Sequence, residues 1–317
     1  MTAGELAVAC LLDAVVGDPR WLPHPVRWMG FIVNWSDRHV HRFLLSSPKQ
    51  RMAGVLLAIV LPAGAYMAAE IVIRLASSID SLCGSTVTVL LAWTTLAARD
   101  LFDHVVSVQH ALRSVSLAEA QAAVARIVGR DTEEMAEPDI VRATVETIAE
   151  STADGIVAPL FYLVIGGAPL ALAYKAVSTL DSMIGHLDDR YRWFGWASAR
   201  LDDAANFLPA RITALLLVLS AGIVSRSWST MRRAWQILIR DGGLHPSPNS
   251  GHPEAAMAGA LGVQLGGISR YDGIPIERPL LGNPDHSLTR AHIGMALTLM
   301  LWTSLTGVLL CEGWLLW

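Results

Sequence analysis

Long apolar stretches constrain the fold of this chain more than any other feature of its sequence. Three of them, 53–69, 82–98 and 291–311, approach membrane-span length, since a helix needs about 20 apolar residues to cross the hydrocarbon core of a bilayer. Charged residues make up 16% of the 317 residues, against about 25% in a typical soluble protein. The sequence therefore predicts an all-α, polytopic integral membrane protein with much of its surface covered by lipid.

Three further stretches are candidate spans. The stretch 208–225 is a fourth span if Arg211 extends to the lipid headgroups. The stretch 155–174 is a fifth, interrupted at 166–169 by two glycines and a proline, so it is either one kinked span or a re-entrant pair of half-helices. The stretch 3–17 is short and contains an aspartate. We expect five or six spans.

Basic residues in the connecting segments predict the orientation. Arginines are frequent in 18–52, 99–154 and 226–290, and basic loops favour the cytoplasmic side. We therefore expect a protein of the cell (inner) membrane with a cytoplasmic active site. The segment 175–207 is also basic, and the sequence leaves its side open.

The polar parts of the chain predict its organisation. We expect one membrane domain over 1–317, with a polar helical insert at about 99–154 and a Gly/Pro-rich loop region at about 241–289 around one short helix. Within the insert, Ser116 and Glu119 form a capping-box pattern. Pro138 marks the beginning of the next helix.

Three acids on that second helix are the first candidate site. At 100° per residue, Glu146, Glu150 and Asp154 fall on one stripe. The simpler interpretation is a solvated face, because acids are mostly exposed. The alternative is a set of carboxylate ligands for Mg²⁺, which prefers oxygen ligands and usually shares them with a phosphate.

A second candidate site lies after the first apolar stretch, where Asp18, His24 and Arg27 occur among prolines. A proline-stiffened loop leaving a membrane helix explains the prolines, but it does not explain the grouped polar side chains. Acids next to apolar segments are candidates for function because their burial is costly.

A third candidate site follows 155–174 and contains Lys175, Asp181, His186 and Asp202. Lys175 either extends to the headgroups or binds a phosphate. The short acids fit turns as well as they fit metal ligands.

The fourth candidate site is the segment 245–254, HPSPNSGHPE, which combines two histidines and a glutamate with turn residues. An ordinary turn is the simpler interpretation. Alternatively, Asn249 and Ser250 bind an anion at a helix start, and His252 and Glu254 transfer protons.

Several functions are excluded by what the sequence lacks. There is no P-loop, dinucleotide-binding GxGxxG, HExxH or GxSxG motif, so any nucleotide chemistry does not use a P-loop. The net charge of −4 gives no basic excess, and we expect no nucleic-acid partner.

Five motifs, in order along the chain, resemble the CobD/CbiB family, the integral membrane adenosylcobinamide-phosphate synthases of cobalamin biosynthesis. They are LLDAVVGDPRWLPHPVRWMG (11–30), ETIAESTADGIVAPLFY (146–162), YKAVSTLDSMIGH (174–186), LDDAANFLPARI (201–212) and DGGLHPSPNSGHPEAAMAGALG (241–262). The sequence departs from the family pattern at Ser151, where asparagine is expected.

The resemblance implies an acid–amine ligase. Such an enzyme joins a propionate carboxylate of adenosylcobyric acid to aminopropanol or its O-phosphate, consuming ATP and requiring Mg²⁺. The implied partners are the corrinoid, the amine and the lipid bilayer, with a homo-oligomer or contacts to other enzymes of the pathway also open. The sequence does not decide between the two amines.

We assign the candidate residues hypothetical roles in this reaction. Glu146, Glu150 and Asp154, with Asp202, are expected to hold Mg²⁺. Lys175, Asn249 and Ser250 are expected to bind phosphate, and His252 or Glu254 to take a proton from the ammonium group. Asp18, His24, Arg27, Asp181 and His186 are the remaining expected substrate-binding residues, with His24 and Arg27 directed at the corrinoid.

Two other classes of protein fit part of the pattern. A transporter also has broken helices and intramembrane acids, but it usually has an internal repeat, and none is visible here. A membrane signalling protein like those of the AmpE group shares the architecture but need not keep PSPNSGHPE. We therefore favour the enzyme.

Overall fold

A computed structural model describes residues 1–19, 21, 23–43, 46–114, 116–186, 188–271 and 273–317. The chain divides into two compact units. The first unit contains 1–97, 158–206 and 310–317, and the second contains 98–157 and 207–309. The expectation of a single membrane domain stays a prediction.

Helices form most of the described chain, as predicted for an all-α fold. They are α1 (Ala3–Val16), α2 (Pro25–Phe43), α3 (Ser47–Ile79), α4 (Ser81–Trp93), α5 (Ala98–Ser114), α6 (Leu117–Val124), α7 (Glu137–Thr152), α8 (Ala158–Ile184), α9 (Trp196–Ala205), α10 (Phe207–Ser225), α11 (Trp228–Asp241), α12 (Gly251–Leu261) and α13 (Arg290–Leu315). A π-helical turn, Ala153–Val157, joins α7 to α8. Two strands, β1 (Leu265–Tyr271) and β2 (Ile274–Leu281), precede α13.

Five segments of the described chain are long and apolar enough to cross a membrane, which confirms the predicted polytopic architecture. They are Ser47–Ile79, Ser81–Arg113, Glu137–Ile184, Phe207–Ser225 and Arg290–Leu315. The marginal N-terminal stretch forms α1, whose 14 residues extend about 21 Å. That length is shorter than the roughly 30 Å hydrocarbon core.

Two of the spanning segments are interrupted. The predicted stretch 82–98 is helical only to Trp93, after which a turn leads into α5. In α8 the predicted break lies at Gly166 and Gly167, which leave helical geometry, and Gly167 has a φ of 67°. Glycine adopts that conformation without a steric penalty.

The region predicted as loop around one short helix is more ordered than expected. Its helix, α12, begins at Gly251, and an antiparallel hairpin follows in which Tyr271 pairs with Ile274. The Asp-Gly dipeptide at 272–273 is a strong sequence signal for such a hairpin. The predicted loop 18–52 likewise contains the amphipathic helix α2.

The core of the first unit lies between α2, α3 and α8. Met29 and Val33 pack with Leu180 and Phe194 in one buried cluster. The backbone of Phe194 lies close to α3 at Gly54, where an added Cβ atom would lie 1.9 Å from the carbonyl oxygen of Phe194. Only glycine fits there.

In the second unit, α7 and α12 are enclosed on nearly all sides. Pro138 stands in the first turn of α7, and Ser116 caps α6 by accepting a hydrogen bond from the Glu119 amide, both as predicted. In α12 every residue except His252 is buried. An added Cβ atom at Gly259 would lie 2.7 Å from Cα of Ala234 in α11, so the two helices touch at their backbones.

The glycines of α3 provide a matched test of this packing. We expect Gly54→Ala to lower stability by about 1–3 kcal/mol, because the methyl group would overlap the Phe194 carbonyl. An added Cβ atom at Gly64 meets nothing within 4 Å, so we expect Gly64→Ala to be neutral or to stabilise by up to about 1 kcal/mol. Thermal unfolding in detergent measures both changes, and equal midpoints for the two variants would contradict the packing.

Candidate functional site

The three acids predicted on one stripe differ in environment. Glu146 is 3% exposed, whereas Glu150 is exposed and Asp154 is half-buried. The simpler interpretation, a solvated face, therefore does not hold for Glu146. Asp154 lies in the π-helical turn after α7, and the wider turn changes the 100° spacing on which the stripe was based.

Glu146 is the centre of a buried polar cluster. One of its oxygens, Oε2, lies 2.5 Å from Nη2 of Arg130. The other, Oε1, accepts a hydrogen bond of 2.8 Å from the amide of Gly266 at the start of β1, and Nε of Arg142 lies 3.9 Å from it. The carboxylate thus joins the helical insert, α7 and the hairpin.

The segment 245–254 reaches α7, so the first and fourth candidate sites lie together. Ser250 donates a hydrogen bond of 3.1 Å from Oγ to Oε1 of Glu150, 100 residues away in the sequence. The hydroxyl of Ser247 accepts hydrogen bonds from the amides of Asn249 and Ser250, both at 3.3 Å. This compact turn leads directly into α12.

Glu254, in the first turn of α12, is 3% exposed. Burial raises the pKa of Glu254 well above its ordinary value, and the nearby carboxylates of Glu146 and Glu150 raise it further. Arg278 and Arg130 act in the opposite direction but more weakly. A buried carboxyl group in this setting holds its proton at a pH where an exposed glutamate is ionised.

Two imidazoles of the same segment are held neutral. Burial, then the positive charge of Arg278, lowers the pKa of His245. Burial, then the charge of Arg211, lowers the pKa of His252. Nδ1 of His245 accepts a hydrogen bond from the Ser247 amide, so its proton is assigned to Nε2. That atom is buried and has no hydrogen-bond partner among the described residues.

The predicted magnesium ligands fit the ion only in part. No group of three or more His, Cys, Asp or Glu side chains within the described ranges could hold a metal ion. Both oxygens of Glu146 already bind protein donors, and this does not fit a metal ligand. Glu150 and Asp154 retain partial exposure, and Mg²⁺ is commonly bound by one or two carboxylates together with substrate phosphates.

In the first unit, Asp18, His24 and Arg27 lie together, as the second candidate site predicts. Nη2 of Arg27 donates a hydrogen bond of 2.8 Å to Oδ1 of Asp18, and Nε2 of His24 lies 3.7 Å from the same oxygen. His24 is 7% exposed. The carbonyl before Asp18 accepts a hydrogen bond from the Trp93 indole, which fixes the start of this loop.

The third candidate site also lies in the first unit. Lys175 and Asp181 are half-buried on α8, and His186 is exposed just after it. Asp202 is the end of a polar chain in which the Tyr174 hydroxyl donates to Oδ1 of Asn206. Nδ2 of Asn206 in turn donates to the carboxylate of Asp202, 3.0 Å away.

An open polar cavity of about 550 Å³ lies against the hairpin of the second unit. Its walls carry both signs of charge, from Arg142 and Arg270 and from acids of the loop 131–139. The loop is attached to the hairpin because the amide of Asp131 donates to the carbonyl of Arg270. The cavity gives a polar molecule access to the Arg142 side of the buried cluster.

Several residues of the site were missed at the level of sequence. Arg130 and Arg278 counted only as basic loop residues, although they face the buried carboxyl groups. His245 was noted as part of a motif but given no role. A single sequence holds no signal that brings Arg130, Arg278 and His245 to the site. The Asp-Gly dipeptide at 272–273 is a sequence signal for the hairpin that carries Arg278.

The comparisons with known proteins identify one family. The family model described as "CobD/Cbib protein" matches residues 6–300. The chain is 50% identical over 279 residues to the "Cobalamin biosynthesis protein CobD" of Geobacter metallireducens, covering 87% of this chain and 85% of that protein. It is 42% identical over 307 residues to the "Cobalamin biosynthesis protein CbiB" of Salmonella typhimurium, covering 96% and 95%. No solved structure matches. The resemblance seen in the five motifs is thereby confirmed, and the chain belongs to the CobD/CbiB family.

Proposed function

We propose that the protein is a membrane enzyme of cobalamin biosynthesis that joins a corrinoid carboxylate to an amino alcohol. The names of its relatives support the pathway. The observation that carries a catalytic function is the contact between Ser250 and Glu150. It brings two of the family-like motifs, which are far apart in the sequence, to one polar cluster beside a buried carboxyl group.

The proposed reaction is the ATP-dependent formation of an amide. The propionate carboxylate of adenosylcobyric acid attacks the γ-phosphorus of ATP, and ADP leaves, which gives an acyl phosphate. The amine of aminopropanol, or of its O-phosphate, then attacks the acyl carbon. Phosphate leaves with the bonding electrons, and the ammonium proton passes to a base on the protein.

Glu254 is the proposed base for that proton. An efficient base has a pKa near the working pH, and the buried position of Glu254 raises its pKa toward that range. His252 is the second candidate, because its pKa is lowered and a neutral imidazole accepts a proton. Both residues stand in the first turn of α12.

Phosphate groups are proposed to bind at the start of α12 and at Lys175. Ser250 is the residue before the first turn of α12, and the positive end of the helix dipole attracts anions. Asn249 precedes it. Lys175 belongs to the first unit, and its role rests on the family-like motif around it.

Magnesium, when bound, would neutralise phosphate charge, and Glu150 and Asp154 are the residues of the second unit that fit it. Glu146 does not fit because both of its oxygens bind protein donors. Its proposed role is instead to position Arg130 and the hairpin around the site. Asp202 as a further ligand stays a prediction.

The corrinoid is proposed to contact His24 and Arg27, which Asp18 holds in place, with Asp181 and His186 as further contacts. The guanidinium of Arg27 suits a carboxylate, with which arginine forms charge-assisted hydrogen bonds. We propose an inner-membrane protein that carries out this reaction on the cytoplasmic side, as its basic connecting segments indicate.

Replacing Glu150 tests the site directly. We expect Glu150→Gln to reduce amide formation to background, because the position loses its charge and one proposed magnesium ligand. The assay mixes purified protein with ATP, Mg²⁺, adenosylcobyric acid and each amine, and mass spectrometry detects the product. Glu119→Gln, a change on the exposed start of α6, is the control. Turnover of Glu150→Gln equal to that of the control would remove Glu150 from the mechanism.

Asp154→Asn distinguishes a metal ligand from a structural residue. We expect the variant to need a higher concentration of Mg²⁺ for half-maximal rate, while its rate at saturating Mg²⁺ recovers in part. Removing Mg²⁺ with EDTA is expected to abolish product formation by the unmodified protein. An unchanged magnesium requirement in Asp154→Asn speaks against this ligand.

Glu254→Gln separates the chemical role of Glu254 from its effect on stability. We expect a loss of about 10²–10⁴-fold in rate, the usual value of a general base. Because folding raises the pKa of Glu254 above its ordinary value of 4.5, the neutral form is the stabilising one. The stability of the unmodified protein should fall as pH rises through that raised pKa.

The glutamine in this variant cannot ionise, so that fall in stability should be absent. Thermal unfolding in detergent as a function of pH measures it. The lowered pKa of His245 acts in the other direction and costs stability as pH falls below about 6.5, and this acid limb should persist in both proteins. Identical alkaline limbs would contradict a raised pKa of Glu254 in the folded protein.

A further inference from the structure

The helix α2 has an apolar face with no partner in the first unit. Its buried face packs Met29 and Val33 into the core. On the opposite side, Trp28, Phe31 and Trp35 are 61%, 70% and 55% exposed. These three side chains fall within about 60° of one another around the helix axis. An exposed aromatic stripe of this kind is typical of helices at the lipid–water boundary.

A groove runs beside this stripe, between α2 and α3. It has a volume of about 430 Å³, and apolar side chains line it throughout. The walls are Trp28 and Ile32 on one side and Gly64, Ala65 and Ala68 on the other. The small residues of α3 keep the groove open, since a Cβ atom added at Gly64 would touch nothing.

The helix that forms one wall is exposed to lipid. Ser47–Ile79 is a membrane-spanning segment, and only 17% of its most apolar stretch is buried inside the protein. A groove on such a surface opens toward acyl chains rather than toward water. Its chemistry and position fit an extended hydrocarbon chain.

Positive charge is concentrated at one end of the groove. From the last groove residue of α2, Ile32, the helix continues about 9 Å to Arg38 and then to Arg42. The chain then enters α3 past Lys49, and the sequence 38–51 contains no Asp or Glu. The acid before it, Asp37, is buried and paired with Arg190 at 2.6 Å. The basic side chains are therefore available to an anion from outside.

We propose that the groove between α2 and α3 binds one acyl chain of an anionic phospholipid. The phosphate of this lipid contacts Arg38, Arg42 and Lys49. This lipid site does not depend on the proposed function of the protein.

Photo-crosslinking in vesicles tests the proposal on the full-length protein. The vesicles consist of phosphatidylcholine with a small fraction of phosphatidylglycerol that carries a diazirine in its acyl chain. After illumination, mass spectrometry of the digested protein locates the label. We expect label on the groove residues of α2 and α3.

Filling the groove should displace the chain. Gly64→Leu and, independently, Ala68→Leu are expected to lose the label at Trp28 and Ile32. Ala63→Leu, an exposed position on the same helix that does not line the groove, should keep it. Gel filtration and thermal unfolding establish that each variant is folded. If both groove variants are labelled as strongly as Ala63→Leu, the label reports only bulk lipid and the site does not exist.

The charge of the lipid is tested with a second probe, phosphatidylcholine that carries the same diazirine chain. We expect phosphatidylglycerol to label the groove more strongly. Arg38→Gln and Arg42→Gln should each lower that labelling about fivefold, while Arg74→Gln on α3 should not. Equal labelling by the two lipids would overturn the anionic part of the proposal. A groove labelled by neither lipid is covered by another protein surface, and the proposal fails.

Discussion

The second unit depends on one buried carboxylate. Glu146 binds Arg130 at 2.5 Å and the Gly266 amide at 2.8 Å, and so holds together the helical insert, α7 and the hairpin. A buried charge is tolerated only with such partners, and removing one partner of a buried pair typically costs about 3–5 kcal/mol.

Environment gives three glutamates of the same site different properties. Glu146 is buried against arginines, Glu254 is buried beside other carboxylates, and Glu150 is exposed. The first is committed to structure, the second has a raised pKa that suits a proton acceptor near neutral pH, and the third is open to a ligand. Identical side chains are divided in this way because the energy of a carboxylate depends on burial and on neighbouring charge.

The sequence was informative wherever the controlling interaction is local or governed by hydropathy. The spans, the cap at Ser116 and the break at Gly166 depend on composition or on a few consecutive residues, and they were predicted. The Arg130–Glu146 pair and the burial of α7 depend on residues 16 to 120 positions apart, and no periodicity encodes them. The amphipathic helix α2 was missed because the segment 18–52, between two apolar stretches, was interpreted as a loop. Its apolar periodicity was present in the sequence.

The helix α12 follows the turn at 245–250, and six of its 11 residues are glycine or alanine. Alanine loses no side-chain rotational entropy on burial, so the helix is ordered at low entropic cost and approaches α11 until the backbones touch at Gly259. The same economy of volume leaves few side chains that could be shortened to enlarge the site, because Met257 and Leu261 are the large apolar residues of this helix. Redesign of the substrate range would therefore begin in the hairpin or in the turn at 245–250, since α12 offers little side-chain volume to change.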